Sequence, residues 1–193
     1  MIRKIIGTLA TTALLSTVTT SVSANSIEEI KKRAAEINEL KALVQSADPA
    51  LRLAAIDTMQ NSEDLAMREL AFSAGVNASD ESVVALTIRN KFSEIDSFVV
   101  SFSETPENEN AKKVYDDFGG RLMVRISDYN KDKGVFKNNS HKHSSSRVST
   151  ISGLNLFLET IYCQGEFKLG DSLVYEGTIT CEKQQFPATI SIF

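Results

Sequence analysis

The chain changes its hydrophobic rhythm partway along. Over residues 26–95 apolar side chains recur every three to four positions; from Arg121 onward they recur every second position. The first spacing predicts helices with one dry face, the second strands with one dry face. Helices first and strands second is the α+β layout, with N-terminal antiparallel helices followed by a C-terminal antiparallel β-sandwich or small barrel.

The helical half opens on Ser26 and Glu29, three apart as a reciprocal helix cap requires. Ile30, Ile37, Leu40 and Val44 follow at helical spacing, with Glu28/Lys32 and Glu29/Arg33 as pairs four apart on the wet face. A weak repeat comes next. Ser46-Ala47-Asp48-Pro49, Ser62-Glu63-Asp64 and Ser79-Asp80-Glu81 each open a helix. Counting from each Ser, Leu51, Met67 and Val84 share one offset, Ala55, Ala71 and Ile88 another, and Arg52 and Arg68 a third. A polar start, an apolar stripe and a small residue at the contact describe stacked antiparallel helices. Asp48-Pro49 followed by Arg52 and Ala54-Ala55 resembles the helix openings of HEAT-like repeats, a resemblance covering residues 46–92. It implies a protein-binding scaffold rather than a catalyst; an ordinary small helical bundle is the other reading of the same residues.

Residues 96–120 read as a connecting segment. Phe98, Val100 and Phe102 alternate like a strand, Thr105–Asn110 is polar, and Ala111–Phe118 forms a short helix stopped by Gly119-Gly120. In the β region, 121–193, Leu122, Val124 and Ile126 form one stripe, Val148, Thr150 and Ser152 another, and Leu154, Leu156 and Leu158 a third. Ile161–Leu169 and Leu173–Cys181 flank a turn at Gly170-Asp171 whose register asks for more than two loop residues, and Ile190 and Ile192 sit in the last strand. Asn138–Ser146 is the one polar low-complexity stretch and reads as a loop.

The first 24 residues place this pattern in a compartment. Arg3 and Lys4 precede an apolar run from Ile5 to Val18, and Val22-Ser23-Ala24 has the small residues of a cleavage site. That order is a bacterial-type secretory signal, giving a periplasmic or secreted protein with no membrane span after cleavage at Ala24. Loss of Arg3 and Lys4 takes the net charge from -4 to -6. An acidic chain without a basic stripe argues against nucleic acid, because phosphate contacts need clustered Lys and Arg. The absence of Trp weakens the case for a glycan-binding face. After export Cys163 and Cys181, on facing predicted strands, are expected to form a disulfide.

Several short patterns bear on catalysis. Gly170-Asp171-Ser172-Leu173 resembles the signature of the GDSL esterase/lipase family, in which the Ser is a nucleophile near the start of an α/β domain. Here it lies late in the chain, with no His after it, so a hairpin turn is the reading. His141-Lys142-His143 lies in the polar loop without further ligands close by in sequence. Asp80-Glu81 reads as first-turn helix charge and Asp116-Asp117 as a solvated turn. Phe92, Phe98, Phe102, Phe118, Phe136, Phe157, Phe167, Phe186 and Phe193 read as core, or as the lining of a barrel that holds an apolar ligand. The expectation is therefore a non-enzyme without catalytic, cofactor or metal residues that binds another envelope or secreted protein; the alternative is a carrier of a small apolar ligand in the β half.

Overall fold

The computed structural model describes residues 22–140 and 147–192. The chain divides into two compact units, Met1–Asn38 and Glu39–Phe193. Helix α1 (Val22–Val44) starts in the first and ends in the second. Ser26 lies one turn inside α1, so the expected cap at Ser26/Glu29 does not form. Val22-Ser23-Ala24-Asn25 contains no Pro or Gly to break the helix before it. Of the expected signal segment, residues 1–21 lie outside the described residues. Among those described, no helix is long and apolar enough to cross a membrane.

The second unit begins with α2 (Pro49–Gln60), α3 (Leu65–Val76) and α4 (Glu81–Lys91), each packed against the other two. Their caps share one design. The carboxylates of Asp48, Asp64 and Asp80 accept from the backbone N–H groups of Ala50, Ala66 and Ser82 at 2.8, 2.8 and 2.9 Å. Arg52 then folds back to donate to the carbonyl of Ser46 at 2.7 Å, and Arg68 to that of Ser62 at 2.9 Å. At the other end Asn61 and Asn77 each donate to a carbonyl four residues back, at 2.7 Å. The three caps fall at Asp48, Asp64 and Asp80, so the repeat keeps a constant period that the count from Ser79 shifts by one. The third copy's equivalents of Met67 and Ala71 are Val83 and Thr87, both fully buried, rather than Val84 and Ile88.

A single 3-10 turn (Phe92–Glu94) leads into eight strands: β1 (Ser97–Phe102), β2 (Arg121–Asn130), β3 (Val135–Ser140), β4 (Arg147–Ser152), β5 (Asn155–Glu159), β6 (Cys163–Leu169), β7 (Val174–Cys181) and β8 (Gln184–Ser191). Each pairs antiparallel with the next, and β1 pairs with β8, closing a barrel. Of the two β architectures expected, the barrel is the one formed. Closure depends on the segment read as a connection: Phe98, Val100 and Phe102 are three inward residues of β1. The other part of that segment, α5 (Glu109–Phe118), is capped by Asn108 and ended by Gly119 in the left-handed region.

Alternation places Leu122, Val124, Phe136, Leu156, Leu158, Phe167, Tyr175, Ile179, Phe186 and Ile190 inside the barrel. On β4 the parity is the reverse of the one read from Val148, Thr150 and Ser152. Ser149 and Ile151 are buried and Val148 is exposed. Inside, Ser149 accepts from the side chain of Asn138 at 2.7 Å and from the N–H of Glu159 at 3.0 Å, so a polar residue occupies an inward site at low cost. Asn138 is itself buried in β3, which extends strand structure two residues and more into the stretch read as a loop.

Candidate functional site

Aromatic side chains occupy both ends of the barrel. Phe92, fully buried, sits among Phe98, Tyr129, Phe136 and Tyr175 with ring centroids 6.0–6.4 Å away. At the far end of β1, Phe102 stacks on Phe186 at 4.8 Å, and Tyr115 and Phe118 of α5 lean on Phe102. The core reading of the Phe residues holds at Phe92, Phe98, Phe102, Phe136, Phe167 and Phe186, all of them buried. Phe157 instead points outward and is 41% exposed. Phe193 lies outside the described residues.

The seating of Phe92 fixes α4 against the barrel, and an open cleft of about 720 Å³ lies beside it. Its apolar lining is Leu53 of α2 and Ala85 and Leu86 of α4. Along α4 the cleft takes the stripe Glu81, Ser82, Ala85, Leu86 and Arg89, while Val83, Thr87, Ile88 and Asn90 face the core. Lys133, from the turn between β2 and β3, joins Arg89 at one end; Glu81 lies at the other. Thr150, Ser152 and Gly153 form the opposite wall.

Two contacts hold Arg89 in place. The phenol of Tyr129 donates to its backbone carbonyl at 2.6 Å. Burial raises the Tyr129 hydroxyl far above the ordinary tyrosine range, the charge of Arg89 opposing only in part, so it stays a donor. The Arg89 side chain crosses Gly134, where an added Cβ would meet Arg89 Cδ at 3.6 Å and crowd the carbonyl of Ile151. Gly134 has φ +62°, and both needs select glycine. The Nε of Arg89 is buried there without a hydrogen-bond partner among the described residues. The other helix arginines differ: Arg52 pairs with Asp80 and Arg68 with Glu94. Arg89 has no carboxylate partner among the described residues, and with Lys133 it makes its part of the cleft positively charged.

Cys163 and Cys181 face each other across β6 and β7 and are joined, with Cα atoms 4.1 Å apart. Ser172 is exposed in a turn of three residues between Gly170 and Val174, where Leu173 takes φ +60°. This is the longer turn that the register asked for. Asp80 caps α4, and its carboxyl is held below the usual range first by the Ser82 N–H and then by Arg52. Asp116 and Asp117 lie exposed on the last turn of α5 rather than in a loop, Asp116 taking a bond from Lys112 at 2.8 Å. His141 and His143 lie outside the described residues.

The cleft was not visible in the sequence. Its walls come from α2, α4, the β2–β3 turn and β4, and Arg89 resembles any wet-face helix residue until its neighbours are in place. No family model, no curated protein and no solved structure matches this chain.

Proposed function

We propose that this is an exported protein-binding module, and that it holds a segment of another envelope or secreted protein in the cleft between α4 and β4. The observation that carries the reading is Arg89, a cation with no carboxylate partner among the described residues, which lines the cleft together with Lys133 and the apolar Leu53, Ala85 and Leu86. Sites of that composition recognise a partner through one charged contact and an apolar anchor. The surface favours a macromolecule over a small solute. Thr150 lines the cleft and also a second depression where exposed Val148 and Phe157 lie among Glu159, Gln164, Glu166, Thr178 and Thr180, so the two together offer a mixed surface larger than a small solute needs. Export is supported by the leader and by the disulfide.

The test is a photo-crosslinking residue placed at Ser152, on the cleft wall, with a second at Asn110 on exposed α5 as the control, both in intact cells. A discrete adduct from Ser152 alone supports the reading. No adduct from either, or the same adducts from both, rejects it. N-terminal sequencing of the exported protein is expected to begin at Asn25.

A further inference from the structure

Resting on that reading, the charges of the cleft define the segment it takes. Glu81 and Arg89 are eight residues apart on one helix, which separates them by about 12 Å along the axis. The negative end stands alone at the helix start and the positive end is doubled by Lys133. Between them Ala85 and Leu86 are apolar. An extended peptide advances about 3.3 Å per residue, so residues four apart span about 13 Å. We propose that the cleft binds an extended peptide with a carboxylate on Arg89 and Lys133, an apolar side chain against Ala85 and Leu86, and a cationic group four residues away at Glu81. The carboxylate can be an acidic side chain or a chain terminus; the bonding to the guanidinium is the same. A helical occupant would need about eight residues, at a diameter of about 10 Å, to bridge the same distance, more than a cleft of about 720 Å³ holds.

The experiment uses the full exported chain and fluorescent pentapeptides read by polarisation. One carries Lys first, Leu in the middle and Glu last, with both ends blocked. A second has Gln in place of both Lys and Glu. A third has Lys first, an uncharged last residue and a free C-terminus. The expected result is that the first binds about tenfold or more tighter than the second, one fully matched charged contact being worth roughly that factor. Equal or better binding of the third identifies a chain terminus as the natural group. Lys133→Gln, an exposed change, and Arg89→Gln, checked for an unchanged melting curve, each weaken the first peptide. The triple variant Glu81→Lys/Arg89→Glu/Lys133→Glu removes the preference for the first peptide over the second. Equal binding of the uncharged peptide, or an unchanged preference in the triple variant, overturns the proposal. If Ser152 still gives its discrete adduct, the cleft remains a protein-binding site and only the assigned segment falls.

Discussion

Gly177 on β7 sits directly opposite Phe167 on β6, so close that a Cβ would run into the carbonyl of Glu166 and approach Phe167 Cα at 2.8 Å. Both obstacles are backbone and cannot rotate aside. Gly165, the inward position two before Phe167, is similarly tight, with the Thr178 carbonyl 2.8 Å from a Cβ. Gly177 pairs with Phe167 and Gly165 with Ile179, so each glycine sits across from a large inward side chain. Gly177→Ala is expected to cost about 3 kcal/mol or more, at the upper end for a single change. Gly153→Ala, with φ +59° but open space around it, is the comparison and should cost about 1 kcal/mol. Urea melts of both variants decide it; similar losses would contradict the steric account.

The disulfide gives a second expectation. In the chain-entropy view, closing a loop of this length stabilises by about 3 kcal/mol. Both sulfur-bearing residues are buried, so Cys163→Ala/Cys181→Ala should lower stability by about 2–4 kcal/mol and leave the barrel spectrum unchanged. Identical melting temperatures with and without reductant in the unfolded-and-refolded protein would refute the contribution.

The turn between β7 and β8 is strained in a correctable way. Glu182 and Lys183 have φ +47° and +69°, and Cys181 pairs with Gln184 across them. Two positive angles in a two-residue hairpin define the turn that favours Asn-Gly. Both side chains are exposed. Glu182→Asn with Lys183→Gly should therefore raise stability, by about 1 kcal/mol, measured as a higher urea midpoint at unchanged slope. A fall would show that one of these side chains has a role of its own.

Tyr175 links stability to alkaline pH. Its hydroxyl is buried in the barrel without a hydrogen-bond partner among the described residues. Burial first, and Tyr129 second, raise it far above the ordinary 10.0. Above pH 10 the unfolded chain gives up this proton and the folded chain keeps it, so stability falls as pH rises past that point. Tyr175→Phe removes both the orphan hydroxyl and the titration. It is expected to be neutral or stabilising by up to about 1 kcal/mol at pH 7, and to flatten the decline between pH 10 and 11. A loss of more than about 2 kcal/mol at pH 7 would mean the hydroxyl is matched.

Much of the fold is legible because binary pattern and turn chemistry agree. Phe98, Val100 and Phe102, or Leu122 and Val124, can face only one way. Where pattern and environment part, reading from sequence fails. On β4 the apolar Val148 faces out and Ser149 faces in, because Asn138 and Glu159 supply hydrogen bonds from strands that sequence does not place beside it. The third helical repeat slips by one because Ser79 imitates a cap whose working residue is Asp80. Closure through β1 is a long-range pairing, invisible to any local window. The cleft is harder still: its mark is a missing partner for Arg89, and absence of a contact has no sequence signature.

Pairing each strand with its neighbour in sequence, and β1 with β8, has a kinetic meaning. Seven of the eight pairings can zip from a local turn or helical excursion, but the eighth must bring the two ends of the ring together against chain entropy. Until it does, the last strand offers a bare edge to any other chain, and Phe92 has no complete ring to enter. Ring closure and the burial of that aromatic plug are then one event, and the interval before it is when the chain is most exposed to association with its own kind and most in need of shelter.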